Sequence, residues 1–381
     1  MSSDYDPLPA GFPEWREGPP WVMAEMVASE PRLAVQILTE GEGRFRISPL
    51  IASTLARGAA VAVTGCGTSE HAAIAFSDLV GSATGRRVLV RPRQALEAAL
   101  DPWPGLCVAI SHEGETAATV AAIEAAREVG ADTALITAAP ASSGGRAARA
   151  LARTPQVDRS WCHTVGYLSP ILVGADVAAH LAGSQLDPEA AGEHLHRCLA
   201  DLGPGAELAA AALTHSATVT CVGGAADYVA ARELALKIAE GSRVPALGHQ
   251  LETFLHGHLA AVDSSSAVVA VLADPDAGPH LLERTRQVLA AARMVGARAI
   301  LIAGPFVPVD FAAPLLSTPA LRLPPAARLD PRVAATLGAA MGIQLLALDL
   351  ATARGTNPDL IRREELAYRE AAAQAEGAIT F

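Results

Sequence analysis

Short apolar runs, each closed by a small or hydroxylated residue and followed by a helical pattern, set the rhythm of this chain. "AAVAVTG" (59–65), "GLCVAIS" (105–111) and "DTALITA" (132–138) have the length and apolar content of buried strands. "ETAATVAAIEAAREVG" (115–130) opens with acidic and hydroxyl residues suited to a helix N-terminus and stops at Gly130, a helix-ending residue. Strand–helix alternation of this kind predicts an α/β fold with a largely parallel sheet flanked by helices. The pattern then returns. "AREVGADTALITA" (126–138) lines up with "ARMVGARAILIAG" (292–304), and "VAVTGCGTSEHAA" (61–73) more loosely with "VTCVGGAADYVAA" (219–231), at separations of 166 and 158 residues. Nearly equal separations predict two copies of one domain.

Three further segments read as helices. Residues 19–38 are amphipathic, and 333–355 are strongly apolar up to Gly355. Residues 182–213 are Ala-rich, with a Gly-Pro-Gly break that suggests an inter-domain connector. The tail, 356–381, is polar and is expected to lie over the surface. The resulting division is an N-terminal arm and helix (1–45), a first domain (46–190), a second domain (191–350) and a tail (351–381).

Composition narrows the classes. A chain of 381 residues with 51% hydrophobic and 18% charged side chains has ample apolar surface for a buried core. No apolar run approaches the roughly 18–20 residues needed to cross a bilayer. The N-terminus, "MSSDYDPLPAGFPEWREG", has acids and prolines where a signal peptide has a basic start and an apolar core. Five scattered cysteines without a CxxC pair argue against a zinc site and a disulfide framework, which points to a reduced, cytoplasmic protein. A net charge of −11 disfavours nucleic acid and anionic membrane as partners. Small anionic ligands stay open, because a local pocket can bind them against the overall field. One feature of the charge is sharper. Of 29 basic residues, 28 are arginine and one, Lys237, is lysine. A lone lysine suits a place where a compact ammonium fits and a planar guanidinium does not.

Two loops carry candidate chemistry. "TGCGTSEH" (64–71) and "ISHEGET" (110–116) sit where a parallel strand hands over to a helix, and open α/β sheets bind ligands outside such strand ends. Backbone N–H groups and the positive helix end favour anions there. The hydroxyls of Thr68, Ser69, Ser111 and Thr116 can converge on one polyoxygenated ligand. Neither loop is a P-loop or a dinucleotide fingerprint, and no cofactor or metal motif is found. Cys66, between glycines, reads better as a small turn residue than as a nucleophile, since no base accompanies it.

The densest cluster lies further on, in "RELALKIAEGSRVPALGHQLETFLHGHLAAVD" (232–263). Glu233, Lys237 and Glu240 are spaced i, i+4, i+7 and share one helical face. With small and apolar flanks, and "HGH" following at 256–258, the stripe predicts a carboxylate–lysine–histidine cluster in a cleft. Carboxylate and imidazole are the groups that move a proton between adjacent carbons and open a sugar ring. His249 and His258 read as structural.

At these residues the chain resembles the SIS (sugar isomerase) domain family, and within it the two-domain isomerase half of glutamine–fructose-6-phosphate aminotransferases. The likeness runs from about Met23 to Asn357. "GCGTSEHAA" is similar to the family's Gly-Cys-Gly-Thr-Ser loop, and "SHEGETAAT" stands where the family has Ser-Gln-Ser-Gly-Glu-Thr. "ELALKIAE" and "LHGHLAAVD" resemble its Glu-x-x-x-Lys-x-x-Glu helix and its His-Gly-Pro-Leu-Ala turn. The resemblance implies tandem SIS domains, each a doubly wound, flavodoxin-like parallel sheet. It implies a pocket for the sugar's anionic end formed by Cys66, Gly67, Thr68, Ser69, Ser111, His112, Glu113 and Thr116. Glu240 would shuttle a proton between C1 and C2, Glu233 and Lys237 would orient substrate and tune Glu240, and His256 would assist ring opening from a neighbouring subunit of a homodimer. No glutaminase domain and no lysine beyond Lys237 are expected to contribute. The implied activity is a sugar isomerase, or an amino-sugar deaminase or deglycase, acting on a hexose or hexose phosphate. A non-catalytic sugar-phosphate sensor, and an isomerase of an unphosphorylated sugar, stay open beside it.

Glu113 is the departure that matters most, because the family has serine there. A carboxylate about 5 Å from a phosphate dianion would cost about 3 kcal/mol per charge pair at an effective dielectric near 20. Two pairs would erase most of a micromolar affinity. Either Glu113 turns outward or is protonated, or a charged His112 offsets it, or the ligand's group is not a phosphate.

Overall fold

Both halves of the chain build the same sheet. The computed structural model describes residues 11–375; the ends of the N-terminal arm and of the tail, and with them the start of the segment weighed as a signal peptide, lie outside the described residues. The first half runs α1 (Val22–Glu40), α2 (Ser48–Ala56), β1 (Ala60–Gly65), α3 (Thr68–Thr84), β2 (Val90–Gln94), α4 (Ala95–Leu100), β3 (Gly105–Ile110), α5 (Ala117–Glu128), β4 (Asp132–Thr137), α6 (Ser143–Ala147), β5 (Ala150–Arg153) and α7 (Val165–Leu181). The second runs α8 (Pro188–Leu213), β6 (Thr218–Gly223), α9 (Asp227–Ser242), β7 (Ala246–Gln250), α10 (Leu251–Leu255), β8 (Ser266–Leu272), α11 (Gly278–Met294), β9 (Arg298–Ala303), β10 (Leu321–Arg322) and α12 (Pro331–Ala353), with α13 (Leu366–Ala375) in the tail. All pairings are parallel, in the orders β2-β1-β3-β4-β5 and β7-β6-β8-β9-β10. Each sheet therefore reverses its strand order once, between its first and third strands. This is the doubly wound α/β repeat expected from the sequence.

The strands read as unbroken apolar runs because both of their faces are covered. On β8, Ala267, Val269 and Val271 face a central helical layer, while Val268, Ala270 and Leu272 pack outward against α11. Each such valine contributes about 1.5–3 kcal/mol by burial. The central layer is shared. Side chains of α1, α3, α7, α8, α9 and α12 join the inner faces of both sheets in one continuous core.

Three details differ from the sequence reading. Helix α8 runs without a break through Gly203, Pro204 and Gly205, and packs on α1 and α12 instead of serving as a loose connector. The expected break rested on local propensity. Burial of Leu195, Cys198, Leu202, Ala206 and Ala209 outweighs it. The tail is not wholly superficial, since Asn357, Asp359 and Leu360 are buried. The Asp359 carboxylate accepts hydrogen bonds from the backbone N–H of Val22 (2.9 Å) and Met23 (2.8 Å), capping α1 from the other end of the chain. Finally, α12 is long and apolar enough to cross a membrane, contrary to the expectation that no segment is. Of its most apolar window, 83% is buried inside the fold, as in a core helix.

Candidate functional site

The crevice at the carboxyl ends of β1 and β3 lies where the first sheet reverses its strand order, and both hydroxyl-rich loops meet there. Gly65 ends β1 in close contact with the next turn: a Cβ on it would lie 2.6 Å from the backbone of Ser69. Only glycine lets α3 start this near the strand. Thr68 is buried and Ser69 half-buried at the first turn of α3. Across the crevice, the Ser111 hydroxyl accepts from Gly114 N–H (3.1 Å) and lies 3.3 Å from the Thr116 hydroxyl. Glu115 accepts from the backbone N–H of Ser143 (2.9 Å), fixing the loop to α6. The backbone N–H groups of His112 and Glu113 have no acceptor among the described residues. They are available to an anion, as are the unsatisfied first-turn N–H groups of α5. Cys66 lies 3.8 Å from the Thr119 hydroxyl across the same crevice, and burial raises its thiol, which works against a thiolate there.

The two departures in this loop resolve differently. Glu113 is exposed and makes no hydrogen bond or ion pair with another described residue. His112 is turned inward, with Nε2 accepting the backbone N–H of Asp158 at 2.6 Å. A backbone N–H only donates, so this nitrogen keeps its lone pair and the ring is neutral. Burial, with nearby His163, pushes its pKa down to about 4. The idea that a charged His112 offsets Glu113 therefore fails. Asp158, buried, accepts in turn from Thr164 N–H (2.6 Å), Gly166 N–H (3.1 Å) and Ser160 N–H (3.1 Å), so the His112 brace is itself held.

A pH dependence follows. Folding holds His112 neutral, while the unfolded chain protonates it near pH 6.5. Its contribution is intact above pH 6.5 and is lost as pH falls towards 4, by about 3 kcal/mol at most. Urea unfolding at pH 7 and pH 4.5 should show a loss for the wild type that is smaller by this amount in His112→Gln. Equal losses in both chains would mean that His112 is protonated in the fold.

The second cluster comes from the other half of the chain. Glu233, Lys237 and Glu240 do share one face of α9, and that face is turned against α3. Glu233 is fully buried. Its Oε1 accepts from the Thr68 hydroxyl at 3.1 Å and its Oε2 from His71 Nδ1 at 2.6 Å. Lys237, also buried, places Nζ 3.6 Å from Glu233 Oε1 and 2.6 Å from Glu240 Oε2. Burial works against the Glu233 carboxylate, but the Lys237 charge and the His71 and Thr68 hydrogen bonds hold it below its ordinary value. Burial likewise works against the Lys237 ammonium, and Glu240, Cys162 and Glu233 more than offset it. Glu233 is thus an ionised hub with its oxygens occupied. Glu240 alone of the three reaches solvent, its side chain 22% exposed. One of its oxygens, Oε2, is held by the lysine.

The histidine in this cluster is not the expected one. Within the chain, His256 stands at the end of α10, its side chain 75% exposed, 3.2 Å from Glu252. It makes no contact with Glu233, Lys237 or Glu240. His249 and His258 stack on each other with ring centroids 3.7 Å apart. The imidazole that joins Glu233 is His71, which the sequence reading passed over. The signal was there: in "TSEH", His71 follows Thr68 by three residues and shares its face of the helix.

Residues 55–170 match the family model described as "SIS domain", so this part of the chain is an SIS domain. The second sheet repeats the first, so the fold is that of tandem SIS domains. Among characterised relatives, the glutamine–fructose-6-phosphate aminotransferase (isomerizing) of Streptomyces coelicolor is 28% identical over 366 residues, covering 88% of this chain and 57% of that protein. The chain spans about half the length of the curated relatives it matches. Solved structures share its fold, two of them as follows. The C-terminal domain of glucosamine-fructose-6-phosphate aminotransferase from Francisella tularensis superposes with a TM-score of 0.73 at 21% identity, covering 91% of this chain and 99% of that one. Tagatose-6-phosphate ketose/aldose isomerase from Escherichia coli gives 0.74 at 21%, covering 91% and 97%.

Proposed function

We propose that the chain is an aldose–ketose isomerase, or an amino-sugar deaminase or deglycase, acting on a hexose phosphate. The observation that carries this is the buried bridge Thr68/His71–Glu233–Lys237–Glu240, which joins an anion-binding loop of one copy to a proton-transfer carboxylate of the other. The ligand's anionic group meets the N–H groups of His112 and Glu113 and the hydroxyls of Ser69, Ser111 and Thr116. Cys66 and Gly67 shape the turn beneath it. Glu240 takes a proton from one of two adjacent carbons and returns it to the other, and Lys237 holds it in place. Glu233 positions, with His71 and Thr68 as its anchors. His256, solvent-facing in one chain, serves ring opening across a homodimer. The names of the relatives support this reading of the substrate class.

Glu113 favours a second reading. An exposed carboxylate beside the N–H cradle suits a neutral or amino sugar better than a dianion. Two measurements separate the readings. Thermal-shift titration with fructose against fructose 6-phosphate, and glucosamine against glucosamine 6-phosphate, reads the anion preference. Proton NMR in deuterium oxide then reads exchange at C1 and C2 of whichever sugar binds. The first reading expects stabilisation by the phosphorylated partners and deuterium incorporation. Stabilisation by unphosphorylated sugars alone would sink it in favour of the second, and binding without exchange would make the chain a sensor.

A further inference from the structure

The two copies do not treat their crevices alike. Strand registers fix which residues correspond: Gly65 pairs with Gln94 in the first sheet, and Gly223 with Gln250 in the second. A Cβ on Gly223 would meet the backbone of Asp227 at 2.5 Å, as one on Gly65 would meet that of Ser69. Asp227 therefore stands in the second copy where Ser69 stands in the first. By the same registers, Ala273 and Asp274 follow β8 as His112 and Glu113 follow β3.

In the first copy the N–H groups of His112 and Glu113 are open. In the second, the corresponding N–H groups are taken. Asp227 Oδ2 accepts from Ala273 N–H at 2.9 Å, and Oδ1 from Asp274 N–H at 3.0 Å. The space left beside them is about 20 Å³, lined by Asp78, Tyr167, Asp274, Arg332 and Thr336, among others. That is room for about one water and for no sugar.

We propose that Asp227 is a built-in anion: its carboxylate occupies, in the second copy, the place a ligand's anionic group takes in the first, and so leaves one ligand site per chain. The clause on ligand number and the comparison with a ligand in the first copy rest on the proposed function; that the carboxylate fills the paired N–H groups of the second copy does not. Arg332, from the start of α12, lies 3.5 Å from Asp78 and 3.7 Å from Asp274, and also pairs with Asp276. Burial first, with the charges of Asp274 and Asp78, outweighs the N–H groups of Asp274 and Ala273 and raises the Asp227 carboxyl to about 7, so the internal anion is fully formed above neutral pH, where the test belongs. Three neighbouring carboxylates against one arginine also make the crevice a poor host for a phosphate dianion, so a small monoanion is the ligand class it accepts.

Formate tests this, because it is the group that Asp227→Ala removes. The variant should melt several degrees below the wild type, and sodium formate should raise its melting temperature saturably, with sodium chloride of equal ionic strength ineffective. Wild type should respond to neither. Asp227→Asn, which keeps the shape and an acceptor, should fold and ignore formate. Equal effects of formate and chloride on Asp227→Ala, wild-type stability in that variant, or a matching formate response in Asp227→Asn would overturn the proposal. Should Asp227→Ala aggregate, recovery from denaturant in formate against chloride decides in the same sense. Calorimetry of the wild type with fructose 6-phosphate then counts sites. One per chain supports the clause on ligand number and two overturns it. No binding defeats the sugar-phosphate reading and that clause together, while the rescue still decides the place of the carboxylate.

Discussion

Lys237→Met should cost about 3–5 kcal/mol of folding free energy, because it leaves buried carboxylate charge without its cation. Methionine matches the lysine stem in length and apolar character, so packing changes little and the loss reports the charge. Glu233 would keep Thr68 and His71, and Glu240 has partial access to water, so most of the penalty falls on Glu233. The sign with pH is fixed. Without Lys237 the Glu233 pKa rises, and the deficit shrinks as pH falls and the carboxyl is protonated. Urea unfolding at pH 8 and pH 5 checks both the size and the trend. Lys237→Arg should restore the charge and not the stability, since a planar fork does not fit between carboxylates 3.6 and 2.6 Å from one point. A chain that spends arginine on every other cation keeps one lysine here. A Met variant as stable as the wild type would show that Glu233 is neutral in the fold.

Glu240→Gln should leave folding and ligand affinity nearly intact and slow proton exchange at the sugar's C1 and C2 by about 10²–10⁴-fold. The amide oxygen still accepts from Lys237 Nζ, so the geometry that the 2.6 Å bond fixes is preserved. Only the capacity to hold a proton is lost. Exchange measured by NMR, beside a thermal-shift titration with the same sugar, separates the two effects. Undiminished exchange in the variant would remove Glu240 from the role of base. A loss of affinity matching the loss of rate would place it in binding instead.

Much of the fold was legible because it repeats and because buried parallel strands cannot hide their apolar runs. The face shared by Glu233, Lys237 and Glu240 was legible too, since helical spacing alone sets it. What that face meets was not. Thr68 and His71 reach Glu233 across 165 and 162 residues of sequence, a pairing that depends on how α3 and α9 cross. His112 looked like a possible cation, and only the inward turn of its ring towards Asp158 makes it a neutral brace. Local rules also misled where tertiary packing overrode them. The Gly203–Pro204–Gly205 sequence marks a helix end by propensity, yet α8 passes through it because its apolar side is covered on both flanks.

Helices α3 and α9, which follow corresponding strands of the two copies, pack on each other as equivalent helices of a symmetric dimer would. At one end of the crossing His71 meets Glu233; at the other Asp78 faces Asp227. In a true dimer of identical chains both ends would carry the same residues, and every substitution would appear at both. Joining the copies in one polypeptide lifts that constraint. One end could acquire a buried carboxylate–lysine cluster without the other being forced to, and the other could be filled by its own carboxylate without closing the first. On the proposed function, duplication did not double an active site. It gave the protein a second address at which mutations could be tried independently.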